Sequence, residues 1–124
     1  MAKIARPPVV RANLELDARE QTLGRLASNA AKLLMGKHKP SFDPSRDCGD
    51  FVTVTHADKI RLTGRKLQQH VYHDMSGYPG GIRTRHISEM LPRNPGEVVR
   101  RTVYYMLPKN RLRNARMKRL RITR

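Results

Sequence analysis

Residues 22–36 read TLGRLASNAAKLLMG, and this stretch decides the fold. Its apolar residues recur at intervals of three and four positions, the spacing that lines one face of an α-helix. They are Leu23, Leu26, Ala27, Ala30 and Leu34. Thr22 is a suitable N-cap and Gly36 a suitable C-cap. We therefore predict an amphipathic helix over residues 22–35, which must pack its apolar face on another element.

Strand patterns stand on both sides of this helix. Residues 12–17 alternate apolar with polar side chains, as a half-buried strand does, and residues 51–55 (FVTVT) have the β-branched composition of a buried strand. Residues 60–63 predict a shorter strand, and the pattern allows two more at residues 71–73 and 120–123. Strands alternating with a helix indicate an α/β fold in which helices cover a small sheet.

The rest of the chain is predicted to consist of loops and helices. Residues 41–50 are polar and contain Pro and Gly, which is typical of a loop. Residues 87–91 suggest a short helix, and Asn94 before a proline has the form of an N-cap followed by a first-turn Pro. The helix that begins there should stop before Pro108. A basic helix follows, for which Asn110 is the expected N-cap.

The charge of the chain is strongly positive and unevenly distributed. Lys and Arg number 26 against 10 Asp and Glu, a formal net charge of +16. Up to residue 62 there are 11 basic and 7 acidic residues, and after it there are 15 and 3. The segment from Arg100 to Arg124 contains no acid. Such an excess repels itself unless a polyanion neutralises it, so the composition indicates a partner such as a nucleic acid.

Length and composition predict one domain with a basic arm. At 124 residues the chain has the size of a single domain, and no Gly/Ser-rich linker divides it. We predict a basic N-terminal arm over residues 1–11 and a single α/β domain over residues 12–124 that binds a polyanion and includes a basic C-terminal helix. An organellar transit peptide would also fit the early arginines, although Pro7-Pro8 would break the amphipathic helix of such a peptide.

Several classes of protein are excluded by the composition. Cys48 is the only cysteine, which rules out a disulfide framework and a thiolate zinc site; we interpret it as a small filling residue. No apolar run approaches the roughly 18 residues of a membrane span, so we expect no membrane partner. His70 and His73 would face opposite sides of a strand, without further ligands for zinc.

Three aspartates in the loop at residues 41–50 are a weak candidate for a metal site. Asp43, Asp47 and Asp50 could together hold a magnesium ion, but they lack the alternating pattern of a calcium loop. We favour capping of the loop or a salt bridge to Arg46. We therefore predict neither a metal nor any other cofactor.

Six segments, in order, carry a resemblance to a known family. They are residues 23–28 (LGRLAS), 36–40 (GKHKP), 49–52 (GDFV), 62–66 (LTGRK), 76–81 (SGYPGG) and 106–110 (MLPKN). Together they closely resemble the bacterial-type large ribosomal subunit protein thirteen family. The match spans about residues 14 to 120.

The resemblance implies an α/β fold with a small, mostly parallel, four-stranded sheet flanked by helices in three layers and with basic terminal extensions. It implies a structural, non-enzymatic role, with large-subunit ribosomal RNA and neighbouring ribosomal proteins as partners and no small-molecule substrate. Members usually continue past the last strand, whereas this sequence ends at Arg124, and many have an aromatic residue where this one has Asn13 and Leu14. A bacterial cytoplasmic ribosome and a mitochondrial or plastid ribosome both fit.

Basic residues in and near these segments are the expected RNA contacts, since each neutralised phosphate releases counterions. Lys37-His38-Lys39 follows the helix, and Arg65-Lys66 follows the turn at Gly64. Tyr78, in the loop at residues 76–81, is the best candidate for stacking on an unpaired base. The predicted RNA-binding residues are Arg25, Lys37, His38, Lys39, Arg65, Lys66, Tyr78, Arg83, Arg85, Lys109, Arg111, Arg113, Arg116, Lys118 and Arg119.

Each of these interpretations has a structural alternative. The cluster from Lys37 to Lys39 could be a solvated helix end, and Tyr78 could pack on the surface of its own domain. Tyr104 and Tyr105 are expected to pack in the core or at its edge rather than to stack on bases.

Two other functions stay open at this point. A basic cleft would suit a small RNA-processing nuclease, with His38 or His73 as an acid–base group. An RNA-binding translational regulator outside the ribosome would need the same basic surface, so the sequence does not separate it from a ribosomal protein. A structural constituent of the large ribosomal subunit, bracing its RNA during assembly and translation, is the function that we predict.

Overall fold

The computed structural model of the chain describes residues 5–124, so the first four residues of the predicted basic arm lie outside it. Residues 5–12 have no regular secondary structure. The elements, in chain order, are β1 (Asn13–Asp17), α1 (Leu23–Met35), β2 (Phe51–Thr55), a 3-10 turn (Ala57–Lys59), α2 (Lys66–Gln69), β3 (Val71–Met75), β4 (Ile82–His86), α3 (Ile87–Arg93), α4 (Pro95–Met106), α5 (Leu112–Lys118) and β5 (Leu120–Ile122). No helix within the described residues is long and apolar enough to cross a membrane.

Three strands form a parallel sheet in the order β1-β2-β5. Their register aligns Leu14 with Val52 and Leu120, so apolar side chains share one face of the sheet. On the other face Glu15 and Arg121 are exposed. The mixed α/β class is therefore confirmed.

The predicted four-stranded sheet in three layers is not confirmed. Burial alternates along all three strands, which means that helices cover one face of the sheet within residues 5–124. The strand predicted over residues 60–63 is reduced to one isolated bridge between Arg61 and Thr22. Pairing stops there because the chain after Thr22 turns into α1, whose backbone groups bond within the helix.

A two-stranded antiparallel hairpin replaces part of the expected helical region. β3 confirms the strand expected near residues 71–73, and it pairs with β4 from Val71 opposite His86 to Met75 opposite Ile82. Sequence reasoning missed β4 because all five of its residues are exposed, so no buried face imposes a pattern on the sequence.

The predicted helix over residues 22–35 is present as α1, and its apolar face is buried. Thr22 occupies the N-cap position but makes no side-chain capping bond. Gly36 ends the helix in the left-handed conformation at φ 81°. Gly49 in the next loop packs so closely on this end that a Cβ atom there would lie 1.7 Å from the Leu34 carbonyl oxygen. The loop before β2 is therefore fixed against the C-terminal end of α1.

The helices of the second half form largely where the sequence predicts them. The Asn94 side chain accepts a hydrogen bond from the Glu97 N–H at 3.2 Å, as an N-cap does, and α4 ends before Pro108. Asn110 is not the N-cap of α5: that position is held by Arg111, and the Asn110 carbonyl oxygen accepts the Arg113 N–H instead. α4 packs along α1, and its Val98, Val99 and Val103 are fully buried in the core.

Candidate nucleic-acid interface

The structure divides the predicted RNA-binding residues into an exposed and an inward-facing group. The exposed residues are Arg25, Lys37, His38, Arg65, Lys66, Tyr78, Arg83, Arg85, Lys109, Arg111 and Lys118. The inward-facing residues are Lys39, Arg113, Arg116 and Arg119, which are buried or half-buried. Three of them donate hydrogen bonds within the protein, and Arg116 forms an ion pair with Asp47. The exposed group is therefore accessible from solvent, whereas the inward-facing group contacts the protein itself.

Arg119 joins the end of α5 to the loop before β2. Its guanidinium donates two hydrogen bonds to the Asp47 carboxylate, one of them 2.5 Å long, and a third, of 2.9 Å, to the Leu34 carbonyl oxygen at the end of α1. Burial raises the pKa of Asp47, but the Arg119 bonds and the charges of Arg119, Arg11 and Arg116 outweigh that effect and hold this pKa below its ordinary value. Asp47 is thus a carboxylate that stays ionised among arginines.

Arg116 and Arg113 lie on the same inner side of α5 as Arg119 does, because residues three apart share a helix face. Arg116 is only 2% exposed, its Nε lies 3.8 Å from Asp47, and burial lowers its pKa. Arg113 donates to the Leu107 carbonyl oxygen at 3.1 Å, and its guanidinium carbon lies 3.9 Å from the centre of the Tyr104 ring. These arginines fasten α5 to the domain rather than face solvent.

Asp50, like Asp47, is an acidic residue of the loop before β2 that is bound by several donors. Its carboxylate is 1% exposed and accepts hydrogen bonds from Lys39, from the His38 ring at 2.8 Å and from the Ala12 N–H at 3.0 Å. Burial raises the pKa of Asp50, but the bonds from Lys39, Ala12 and His38 outweigh it, so this pKa is lowered. Lys39 also donates to the Val10 carbonyl oxygen at 2.7 Å, which fixes the described end of the basic arm.

The three aspartates of this loop do not converge on a common point. Asp43 caps its own turn by accepting bonds from the Ser45 N–H at 2.9 Å and hydroxyl at 2.7 Å, whereas Asp47 and Asp50 are bound by different cations. Among residues 5–124 no group of three or more His, Cys, Asp or Glu side chains could hold a metal ion. The capping interpretation is confirmed for Asp43. The alternative, a salt bridge to Arg46, is not formed within residues 5–124, where Arg46 instead donates to the Pro7 carbonyl oxygen at 3.1 Å.

The histidines that a nuclease would need are likewise engaged separately. His38 is bonded to Asp50, whose carboxylate is already shared with Lys39 and a backbone amide. His73 lies on β3 and contacts the hydroxyl of Thr84 at 3.4 Å. Within residues 5–124 the geometry therefore gives each of these two rings its own structural partner and does not bring them together as the acid–base pair that RNA cleavage requires.

Several exposed cations surround the C-terminal end of α4. Met106, at that end, lines two cavities. The first cavity, of about 580 Å³, is also lined by Lys66 and by Gly24, which directly precedes Arg25 in the chain. The second cavity, of about 540 Å³, is also lined by Lys37 and by Asn110, whose neighbours in the chain are Lys109 and Arg111. We call the basic surface the set Arg25, Lys37, Arg65, Lys66, Lys109 and Arg111. Within the described part of the chain none of these six forms a salt bridge.

The β3–β4 hairpin carries three further exposed candidates, Tyr78, Arg83 and Arg85. Tyr78 at its turn is 79% exposed, so it does not pack on its own domain. The Arg85 Nε lies 3.3 Å from the Asp74 carboxylate. Arg101 of α4 binds the same carboxylate at 3.0 Å and thereby ties the hairpin to α4. The Arg101 hydrogen bonds hold the pKa of Asp74 below its ordinary value.

A groove between α4 and α5 places the predicted RNA-binding residue Lys118 beside Arg100, Tyr104 and Tyr105, which were not predicted to contact RNA. Tyr105 was expected to pack in the core or at its edge, but it is 67% exposed, so that prediction is wrong for this residue. Arg100 and Lys118 line the same groove, and Tyr104 forms part of its wall. Only the four-residue spacing of Arg100 and Tyr104 on one helix face could have indicated this arrangement from the sequence.

Comparison with known proteins gives consistent matches over most of the chain. Residues 11–124 match the family described as Ribosomal protein L13. The chain is 53% identical over 109 residues to the large ribosomal subunit protein uL13 of Aquifex aeolicus, covering 88% of this chain and 76% of that one. It is 47% identical to the uL13 of Halorhodospira halophila and 49% to that of Thermotoga maritima, each over 107 residues, 86% of this chain and 75% and 72% of those relatives.

Proposed function

Because this chain belongs to the Ribosomal protein L13 family, we propose that it binds large-subunit ribosomal RNA through its basic surface and its hairpin. Within that family it is a structural, non-enzymatic component of the large ribosomal subunit. What the proposal adds is the assignment of RNA contacts to particular side chains.

The observation that carries the proposal is the contrast between buried and exposed cations. Most acidic residues are already paired with inward-facing or neighbouring cations, as Asp47 is with Arg119 and Asp50 with Lys39. The charges of the basic surface consequently have no protein partner within residues 5–124. Because an uncompensated excess of charge is self-repulsive, an RNA backbone lying on this surface would stabilise the fold as well as bind it.

Individual roles follow from position. Lys37 lines one cavity, and Lys109 and Arg111 flank Asn110 of the same lining, so these three would neutralise neighbouring phosphates. Lys66, which lines the other cavity at Met106, and the adjacent Arg65 would do the same there. Tyr78, exposed at the hairpin turn, would stack on an unpaired base, with Arg83 on the adjoining strand available to a phosphate. Lys118 would contact RNA from the outer side of α5. Arg85 and His38 would contribute partially, since each also has a protein partner.

The inward-facing residues Lys39, Arg113, Arg116 and Arg119 would act indirectly. Their hydrogen bonds, and the ion pair of Arg116 with Asp47, hold the loop before β2, the end of α1 and α5 in one arrangement, and so they position Lys109 and Arg111 at the start of α5. In this proposal they support the RNA-binding surface without touching RNA.

Domain organisation and location complete the proposal. Residues 12–124 would form one domain, with the arm at residues 1–11 extending from it. The host ribosome would be bacterial and cytoplasmic, which is supported by the bacterial sources of the relatives named above. Neighbouring large-subunit proteins would contact faces that the RNA leaves free.

The proposal is tested by matched charge reversals. Lys109→Glu/Arg111→Glu changes the basic surface, and Lys59→Glu/Arg61→Glu changes the same residue types at the same spacing elsewhere on the exposed surface. The first variant should bind a large-subunit RNA fragment more weakly, with a log–log salt slope smaller by about 0.9 for each lost phosphate contact. The second should resemble the parent. Equal losses in both variants, or a flat salt dependence in the parent, would overturn the proposal.

Retention in the ribosome separates this role from that of a regulator outside it. The parent should sediment with large subunits after a high-salt wash. The Lys109→Glu/Arg111→Glu variant should be partly released, whereas the Lys59→Glu/Arg61→Glu variant should stay bound. Release of the parent by the wash would favour a transient regulator.

A further inference from the structure

The groove between α4 and α5 has the features of a site for single-stranded RNA, and we propose that it holds one unpaired base against Tyr105 with the adjoining phosphates on Arg100 and Lys118. This inference rests on the proposed function and adds a second contact region to it. The groove has a volume of about 620 Å³ and lies between the exposed faces of the two helices.

The aromatic wall of the groove is held in place before any ligand arrives. The Tyr104 and Tyr105 ring centres are 5.9 Å apart, with an angle of 74° between the ring planes. Tyr104 is fixed from the side of α5 by the Arg113 guanidinium, 3.9 Å from its ring centre. Tyr105 is left 67% exposed. An exposed aromatic ring beside a fixed one presents a surface on which any base can stack.

The charges around this wall favour an anionic ligand. Glu97 is the groove's acidic residue, and it is neutralised by Arg101 at 3.0 Å. Arg100 and Lys118 are exposed, and within residues 5–124 neither forms a salt bridge. The groove therefore presents two uncompensated positive charges beside an aromatic ring, the combination that single-stranded nucleic acids bind.

The same two cations also line the next cavity along the surface. This cavity, of about 650 Å³, lies over the exposed face of the sheet and includes Phe51 and Arg121. Phe51 is itself 45% exposed. A strand of RNA leaving the groove would thus meet a second aromatic ring and a third cation. The continuity of the two cavities supports a ligand longer than one nucleotide.

A protein segment is the rival occupant, and the lining of the groove is unfavourable for it. A helix that docks in a groove needs several exposed aliphatic or aromatic pockets at helical spacing. Met117, the aliphatic residue on the α5 side, is buried in the core. The exposed part of the groove consists of the Tyr105 ring, part of the Tyr104 ring and Asn114, with cations around them, which suits a base and its phosphates better.

Fluorescence of a labelled oligonucleotide tests the site. The probe is a ten-nucleotide adenylate RNA that carries one 2-aminopurine, whose emission falls when the base stacks. The full chain is compared with Tyr105→Leu, Tyr105→Phe, Lys118→Ala and the matched control Lys59→Ala, and thermal unfolding confirms that each variant is folded. Binding is measured at several salt concentrations.

Stacking and charge give different signatures in this experiment. Tyr105→Leu should weaken binding roughly tenfold and abolish the emission change while leaving the salt slope unaltered, and Tyr105→Phe should bind like the parent. Lys118→Ala should reduce the salt slope by about 0.7, and Lys59→Ala should not.

Three results would overturn the groove as an RNA site. They are a parental emission change in Tyr105→Leu, loss of that change on Tyr78→Leu instead, and unaltered RNA binding by Tyr105→Leu combined with poorer incorporation into large subunits, which would indicate a protein in the groove. In each case the Lys109→Glu/Arg111→Glu comparison still reports independently on the proposed function.

Discussion

Arg119 and Asp47 are joined by two hydrogen bonds although they lie 72 positions apart in the chain. The pair links the end of α5 to the loop before β2, and Arg119 extends the link to the Leu34 carbonyl oxygen at the end of α1. Arg119 looks in the sequence like one more surface charge, yet it holds the end of α5 against the end of α1.

Replacement of Arg119 should destabilise the fold. Arg119→Met leaves the Asp47 carboxylate half-buried without its main partner, and breaking a buried pair from one side costs about 3–5 kcal/mol of unfolding free energy. Urea unfolding followed by far-UV circular dichroism measures this loss.

Two further variants make the measurement specific. Arg121→Met, two positions along and exposed on the open sheet face, should change the unfolding free energy by no more than about 0.5 kcal/mol. Arg119→Met/Asp47→Asn should be less destabilised than the sum of the two single variants, because the Arg119–Asp47 pair can be lost only once. A double variant that is as unstable as the sum of both single variants would contradict this account.

Stability should fall in acid because of the same loop. The pKa values of Asp47 and Asp50 lie below the ordinary 3.8 in the folded protein. A carboxyl group with a lowered folded pKa contributes stability above its unfolded pKa and loses that contribution as the pH falls through the folded value. The unfolding free energy should therefore be nearly level near neutral pH and decline as the pH drops from about 5.

Urea unfolding at steps between neutral and acidic pH measures this decline. Asp47→Asn should be less stable than the parent at neutral pH but should show a shallower decline in acid, because one of the titrating groups is gone. Parallel curves for the variant and the parent would show that Asp47 does not contribute to the linkage.

An element of this fold can be predicted from the sequence when one of its faces is buried and the other exposed, because burial then fixes the spacing of its apolar residues. α1 was predictable because its buried residues recur with helical spacing over residues 23–35. β4 has five exposed residues and leaves no such pattern, so the hairpin was missed. Residues 60–63 have the composition of a strand, but the chain beside Arg61 continues into α1, and propensity alone does not reveal that the partner is missing.

The candidate site was predictable in its charge but not in its orientation. Lys37, Lys109 and Arg111 are exposed as expected. Arg113, Arg116 and Arg119 recur at three-residue spacing and face inward. Arg113 bonds the nearby Leu107 carbonyl oxygen, but the partners of Arg116 and Arg119 are Asp47 and the Leu34 carbonyl oxygen, far away in the sequence. Long-range pairing of this kind has no local signature, so a one-sided charge run resembles a binding surface even where it is part of the core.

The close contact of Gly49 with α1 predicts a severe effect of one methyl group. In Gly49→Ala the new Cβ would lie 1.7 Å from the Leu34 carbonyl oxygen, which is backbone and cannot move aside easily. We expect a loss of about 3 kcal/mol, the upper part of the range for overpacked sites. Thermal or urea unfolding measures it.

Gly24→Ala is the matched control for that substitution. Gly24 lies in α1, and a Cβ there meets nothing within 4 Å. Alanine is the better helix former, so this variant should equal the parent or gain up to about 1 kcal/mol. A tolerated Gly49→Ala, or a strongly destabilised Gly24→Ala, would contradict the packing described here.

Arg101 should control how firmly the β3–β4 hairpin is held on α4. Its guanidinium binds Asp74 at 3.0 Å and Glu97 at 3.0 Å and lies 5.3 Å from the centre of the Tyr72 ring. Arg101→Met should therefore increase amide hydrogen exchange in residues 71–86 by about tenfold, which corresponds to a loss of about 1.4 kcal/mol in local opening free energy, while exchange in β2 stays unchanged.

The neighbouring residue provides the control for this hairpin prediction. Arg100→Met removes an exposed guanidinium from the next position of α4, and that group has no salt bridge within residues 5–124, so exchange in the hairpin should stay at the parental rate. Peptide-level hydrogen exchange distinguishes the two variants. Equal acceleration in both would mean that the helix, rather than the Arg101 bonds, sets the mobility of the hairpin. An effect confined to Arg101→Met would show that one arginine fixes the position from which Tyr78, Arg83 and Arg85 face the solvent.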